Sequence, residues 1–311
     1  MISSPNSQSA NVVTADDVSP LIWLRDRIQA YNALTKPTIV LLVVLTGAAG
    51  AVLEGSLLSS PLLFALSLVL LGMAAGSANA FNQFFERNVD AVMTRTRVKR
   101  PLPSGKIAPW EAFTFAALNG IISTVAFWFV FNPLTALLSL WTILFYALFY
   151  TLYLKPRTPE NIVIGGIAGA MGPLIAWTAG AGQVAVAPLL MLAIIFFWTP
   201  PHFWSLAIYM KHDYKAVNYP MMPVVVGDKA TWTRNLVYTI VTLATSLTLL
   251  GFGLGWIYGA AAIGLGVYFL LSVIKGVREN TPQAARTVFV RSIFYLLALF
   301  TAAILDAAIL P

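Results

Sequence analysis

The chain has no cysteine. Disulfides, thiolate zinc sites, iron–sulfur clusters and cysteine nucleophiles are therefore excluded. Only two histidines are present, His202 and His212, too few for a multi-histidine metal centre. Charge is scarce as well: Asp, Glu, Lys and Arg make up 10% of the 311 residues. The opening segment MISSPNSQSANVVTADDVSP has no basic stretch followed by an apolar run, so it does not read as a cleaved signal peptide. A disordered cytoplasmic tail is expected over 1–20, ahead of a single domain over 21–311.

What the chain has in excess is apolar surface. It is 59% hydrophobic with a mean hydropathy of +0.79, against about 45–50% apolar residues in soluble domains. Nine apolar runs lie near 38–57, 61–82, 112–131, 134–154, 161–181, 185–208, 234–254, 257–275 and 289–310. Each is close to the roughly 20 residues that cross a bilayer. The expected fold is all-α: a polytopic membrane protein, a bundle of nine transmembrane helices, rather than two soluble domains. Threading nine spans from a cytoplasmic N-terminus places all 19 Lys and Arg residues on the inner side, which is the positive-inside pattern. The net charge of +7 is thus a topology signal, and no nucleic-acid partner is expected. Two inner loops are long, near 83–111 and 209–233, and long loops on one face usually carry function.

The first loop begins with NQFFERNVDAVMTRTRVKRPLPSG, residues 82–105. Asn82, Glu86 and Asp90 are spaced i, i+4, i+8 and share one helix face, with Asn79 a turn earlier. An amide oxygen and two carboxylates so close repel one another unless a cation lies between them. Such hard oxygen donors suit Mg²⁺, which binds through one or two carboxylates plus substrate phosphates. Arg95, Arg97, Lys99 and Arg100 follow at once, as expected if a phosphate anion lies beside that ion. Read alone, these basic residues equally fit a positive-inside loop. The carboxylates are the stronger signal, because ionisable groups at membrane depth are usually functional.

The second loop follows FFWTPPHFWSLAIYMKHDYKAVNYPMMPVVVGDK, residues 196–229. Pro200 and Pro201 are expected to interrupt the sixth span. His202 sits among Trp198, Phe203 and Trp204, either as a structural side chain or as a functional one. Asp213 is either a ligand for a second Mg²⁺ or an ordinary solvated residue, and Lys211 could face a phosphate. Oxygen ligands and cations at one membrane face, with an apolar bundle beneath, suit a greasy chain bearing a diphosphate head. Ionisation of such a donor leaves an allylic cation that aromatic faces can shelter. Tyr146, Tyr150, Tyr153, Trp198 and Trp204 are candidates for that role, with ordinary packing as the alternative.

At this point the residues resemble a family. Asn82-x-x-x-Glu86-x-x-x-Asp90 is similar to the first acidic motif of the UbiA-type intramembrane prenyltransferases. LTKP at 34–37, RPLPSG at 100–105, YTLYLKPRTPENIVIGGIAGAMGP at 150–173, WTPPHFWSLAIYMKHDY at 198–214 and YPMMPVVVGDKAT at 219–231 resemble its heme O synthase branch, over nearly the whole chain after residue 20. The resemblance implies Mg²⁺-dependent transfer of farnesyl from farnesyl diphosphate to a vinyl group of heme B, giving heme O and diphosphate. Heme A synthase or terminal-oxidase assembly proteins would be downstream partners. The implied location is the cell's inner membrane, with the lipid bilayer as surroundings and the site facing the cytoplasm. Catalytic roles would fall to Asn82, Glu86, Asp90 and His202. Substrate would be bound by Asn79, Arg95, Lys99, Arg100, Lys211, Tyr150 and Trp204. The metal would be held by Asn82, Glu86, Asp90 and Asp213. His202 would ligate or orient heme, or handle a proton. A related enzyme acting on a quinone, chlorophyll or other aromatic precursor would share the donor chemistry. The sequence departs from the family pattern in its lone Asp213, in Lys99 before Arg100 and in Gly172-Pro173.

Overall fold

The computed structural model describes residues 20–309; the tail expected over 1–20 falls, except for Pro20, outside them. Among the described residues there is no strand. In order, the helices are α1 (Pro20–Thr35), α2 (Pro37–Glu54), α3 (Pro61–Val92), α4 (Pro109–Ala126), α5 (Pro133–Leu144), α6 (Asn161–Ala170), α7 (Gly172–Ala181), α8 (Val186–Tyr209), the short α9 (Lys211–Ala216) and α10 (Met222–Val225), α11 (Asp228–Thr248), α12 (Trp256–Glu279) and α13 (Pro282–Ile309). A π-helical turn, Phe127–Phe131, extends α4, and a longer π-helical stretch, Phe145–Leu154, extends α5. Prolines open many of these helices, at the first-turn position where a missing N–H costs nothing.

Among the described residues, eight segments are long and apolar enough to cross a membrane, with α6 and α7 forming one of them. The expected ninth, α11, falls short of that standard. Its inward face is Thr231, Asn235, Thr239, Thr242 and Ser246, all buried, and its first turns carry Asp228, Lys229 and Arg234. Small hydroxyl residues lower the hydropathy of a helix while letting neighbours approach closely. Accordingly α11 packs between α8 and α12. The hydroxyls of Thr231, Thr239 and Thr242 donate to carbonyls one turn earlier, at 2.7–2.8 Å, and Asn235 Nδ2 donates to Ser205 Oγ of α8 at 3.2 Å.

One expected break also differs. α8 runs unbroken through Pro200 and Pro201, both of them buried, with Thr199 Oγ1 donating to the Ile195 carbonyl at 2.8 Å and Ser205 Oγ to the Pro201 carbonyl at 2.6 Å. The fifth span does break, at Met171 between α6 and α7. There Gly50 meets the backbone of Pro173, where an added Cβ would lie 2.4 Å from its carbonyl oxygen.

α3 sets the position of the site. Its 32 residues span about 48 Å, well beyond the roughly 30 Å hydrocarbon core. The apolar part ends near Phe81, so Asn82, Glu86 and Asp90 ride one uninterrupted helix out of the apolar layer. At the opposite end of the bundle, fully buried Asp306 of α13 accepts the backbone N–H groups of Gly255 at 2.5 Å and Tyr258 at 2.8 Å. It thereby caps α12, whose first N–H groups have no helical partner. Asp306→Ala is expected to destabilise the fold by about 2 kcal/mol, since it strands two buried donors. A lower thermal midpoint in detergent would register this; an unchanged one would show that the cap contributes nothing.

Candidate active site

The acidic face of α3 is buried and fully partnered. Asn82 Oδ1 accepts from Lys36 Nζ at 2.7 Å, and Asn82 Nδ2 donates to Thr151 Oγ1 at 3.1 Å. Glu86 pairs with Lys155 and, at 3.5 Å, with Arg100. Asp90 pairs closely with Arg100, while its backbone carbonyl accepts from Thr96 Oγ1 at 2.8 Å. Asn79 is buried on the same helix. The second loop reaches this cluster through Asp213, whose Oδ2 accepts the Arg95 backbone N–H at 3.2 Å.

Three cations thus converge from separate parts of the chain. Lys36 joins α1 to α2 in a left-handed backbone conformation (φ 55°). Lys155 ends the π-helical stretch after α5, where the wider turn also places Thr151 against Asn82; Thr151 Oγ1 bonds the Tyr146 carbonyl five residues back, at 2.7 Å. Arg100 comes from the basic loop. Such π-helical segments recur at functional sites. Burial, reinforced by the Arg100 charge, pushes Lys36 well below the ordinary lysine value. Burial lowers Lys155 too, with Glu86 opposing. Against the effect of burial, Asp90 and Glu86 hold Arg100 above its usual value.

Beside this cluster lies a cavity of about 360 Å³, lined by Ala33, Lys36, Ile39, Gln83, Arg95, Thr96, Lys99 and Arg100. Four of these are cations and none is acidic. Arg100 and Lys36 belong to both environments, touching the acidic face on one side and the cavity on the other. The arrangement favours an anion in the cavity.

The donors nearby are all hard oxygens: Asn82, Glu86, Asp90 and, from the second loop, Asp213. Among the described residues no three His, Asp or Glu side chains form a group able to hold a metal. The protein therefore supplies only part of a coordination shell, as Mg²⁺ sites completed by substrate phosphate do. The residues fit Mg²⁺ on those terms.

Other expected residues lie elsewhere. Lys211 pairs with Asp228 at 2.8 Å and does not line the cavity. His202 is held between Trp198 (4.3 Å between ring centroids) and Phe289 (4.6 Å), with its Nδ1 2.7 Å from Ser292 Oγ. Trp204 is fully buried, edge-on to Tyr238, in the cluster that supports the second loop. Tyr150 is buried and stacked on Tyr146, whose ring has Lys36 Nζ 6.0 Å from its centroid. Tyr153 turns outward, 54% exposed, stacked on Phe149. Lys36, Lys155, Thr151 and Gln83 were not among the expected site residues. Both lysines precede a proline at the edge of an apolar run, Lys36-Pro37 before the first and Lys155-Pro156 after the fourth, and that repeated pair is the signal that could have found them.

An all-helical bundle of apolar spans, with an oxygen-rich helix face beside a cation-lined cavity, is an integral membrane protein with a candidate site at one end of the bundle. The model of the UbiA prenyltransferase family matches residues 42–300, and the chain belongs to that family. A protoheme IX farnesyltransferase of Alkalilimnicola ehrlichii is 43% identical, covering 94% of this chain and 96% of its own. One from Nitrosospira multiformis is 44% identical, covering 90% and 94%. Among solved structures, digeranylgeranylglyceryl phosphate synthase superposes with a TM-score of 0.73 at 19% identity, over 90% of this chain and 98% of that one. A UbiA homologue from Archaeoglobus fulgidus bound to DMAPP and Mg²⁺ gives 0.61 at 14%, over 88% and 99%.

One close approach offers a direct test of the π-helical wall. A Cβ on Gly165 of α6 would lie 2.1 Å from the Tyr150 ring, so Gly165→Ala must displace Tyr150 or α6. Prenyl transfer is expected to fall roughly tenfold or more in kcat/KM, since small misplacements near a site cost that much. Unaltered kinetics would show that the Tyr150 position is immaterial.

Proposed function

We propose that the chain transfers a farnesyl group from farnesyl diphosphate to a vinyl group of heme B, giving heme O and diphosphate. The observation that carries this reading is the cavity lined by Lys36, Arg95, Lys99 and Arg100 beside the oxygen face of Asn82, Glu86 and Asp90. The names of the relatives supply the donor and the acceptor.

The diphosphate head lies in the cavity, where Arg95, Lys99, Arg100 and Lys36 neutralise it. Asn82, Glu86, Asp90 and Asp213 would hold Mg²⁺, which when bound adds positive charge to the departing diphosphate. As the allylic C–O bond breaks, the bonding electrons leave with the diphosphate. The stacked rings of Tyr146 and Tyr150 lie beneath Lys36 and shelter the farnesyl cation. The vinyl carbon attacks that cation. Water then adds to the resulting carbocation and loses a proton, which completes the hydroxyethyl group. His202, fixed by Trp198, Phe289 and Ser292, orients the acceptor side. Trp204 supports the second loop from beneath. Lys211, tied to Asp228, holds the start of α11 against that loop.

The reading includes nine spans, with α11 as the seventh, and a cytoplasmic N-terminus in the cell's inner membrane. Every Lys and Arg then lies on the cytoplasmic side, as does the site. Heme O would pass to heme A synthase or to terminal-oxidase assembly proteins.

Membranes containing the chain, given farnesyl diphosphate, heme B and Mg²⁺, are expected to form heme O, detected by mass spectrometry. The product should vanish with a chelator and in Asp90→Ala. A prenylated quinone precursor in place of heme O would keep the donor site and overturn the acceptor. A pH profile tests the cations. Lys36 and Lys155 are bases with lowered values, so each loses its charge as pH rises through that lowered value. kcat/KM for farnesyl diphosphate should therefore fall on the alkaline side below about pH 10.4, the ordinary lysine value. Lys36→Arg should move that limb to higher pH. A flat profile through this range would remove Lys36 and Lys155 from donor binding.

A further inference from the structure

α1 does two things at once, and its outer surface is unexplained by the site. Its last turn forms a wall of the cavity: Ala33 and the following Lys36 line it. Gln83, next to Asn82 on α3, clamps that turn by donating from Nε2 to the carbonyls of Ala33 and Leu34, both at 2.9 Å. Arg27 fastens the middle of α1 to Glu111 of α4 and, at 2.8 Å, to the carbonyl of Lys106 in the basic loop. α1 is thus anchored to the elements that carry Asn82 and Arg100.

At about 3.6 residues per turn, α1 has three sides. Ala30 and Leu34 face the bundle and are buried. Arg25, Asp26 and Gln29 form a polar, exposed side. Leu21, Leu24 and Ile28 form a separate apolar stripe, with exposures of 79%, 49% and 60%. Thr35 is two residues from Pro37, where the first membrane span begins, so α1 ends at the level of the membrane surface. Exposed apolar residues continue from it onto the spans, through Ile39 and Leu41 of α2 and Trp110 and Phe113 of α4. The lipid-facing surface of the bundle therefore runs directly into the stripe. Arg25 on the neighbouring side suits anionic head groups.

We infer that α1 is an interfacial helix, seated in the head-group layer of the same bilayer through Leu21, Leu24 and Ile28, and that this seating holds the Lys36 wall of the cavity in place. A helix with an apolar stripe beside a polar side lies in the plane of the interface. The coupling to the cavity rests on the donor site proposed above; the seating does not.

The absence of native cysteine makes the test direct. Leu24→Cys and Asp26→Cys variants of the full chain are each labelled with an environment-sensitive fluorophore. They are then reconstituted into phosphatidylcholine–phosphatidylglycerol vesicles with or without brominated acyl chains. The label at position 24 should be blue-shifted and quenched by bromine, and the label at position 26 should not. Equal quenching at both positions, or none at 24, would overturn the seating, whatever the reaction proves to be. For the coupling, the combined Leu21→Asn, Leu24→Asn and Ile28→Asn variant should raise KM for the prenyl diphosphate severalfold with kcat unchanged. A thermal midpoint equal to that of the parent would confirm that it folds. An unchanged KM would overturn the coupling.

Discussion

The burial of two carboxylates on α3 is the constraint on which the rest depends. Glu86 and Asp90 are each no more than 3% exposed, and an isolated buried charge costs several kcal/mol. The fold meets that cost with Lys155 and Arg100, and it satisfies Asn82 with Lys36. These three cations come from the α1–α2 junction, the end of the π-helical stretch and the basic loop. Pairing therefore does more than neutralise charge. It draws three distant segments to one point and leaves Arg100 and Lys36 also facing the cavity. The ion pairs are well made for exchange: a phosphate oxygen can take over cations that a carboxylate holds, and a divalent ion can take over the carboxylate.

Membrane thickness fixes where this happens. α3 is longer than the apolar layer, so its polar face emerges at the boundary instead of the midplane. Clustering at one end fits a bound head group with its tail in the bundle better than a passage through the bundle, where charge gathers at midplane. The hydroxyl-lined α11 shows the complementary solution inside the layer: hydroxyl side chains are tolerated where each donates to a carbonyl one turn back. Asp306 shows another, where a buried carboxylate is matched by the open N–H groups of a helix start.

Much of this was legible in the sequence, and the exceptions share a cause. The i, i+4, i+8 spacing of Asn82, Glu86 and Asp90 is a local property, and the helix carries it as the spacing requires. The basic run from Arg95 to Arg100 was equally local. Lys36 and Lys155 read only as inner-loop charge, because their significance lies in which carboxylate they meet, and that depends on tertiary structure. Lys211 and Asp213 are close in sequence yet diverge: Asp213 turns to the Arg95 amide, and Lys211 to Asp228. The proline pair in α8 looked like a break, but the helix passes through it unbroken. α1 gave no periodic signal because its apolar residues lie on two sides, one against the bundle and one outward. The short fall of α11 has the same kind of origin, since a buried hydroxyl face depresses hydropathy without preventing burial.

The most direct measurement is a calorimetric titration of inorganic diphosphate into the detergent-solubilised chain, with and without Mg²⁺, repeated with Asp90→Asn. The expected result is weak binding of Mg²⁺ alone, because Lys155 and Arg100 already occupy the carboxylates, and tight binding of diphosphate when both are present. Asp90→Asn should lose most of that affinity. Diphosphate binding that needs no Mg²⁺ and survives Asp90→Asn would contradict an acidic α3 face acting with the cations on one head group.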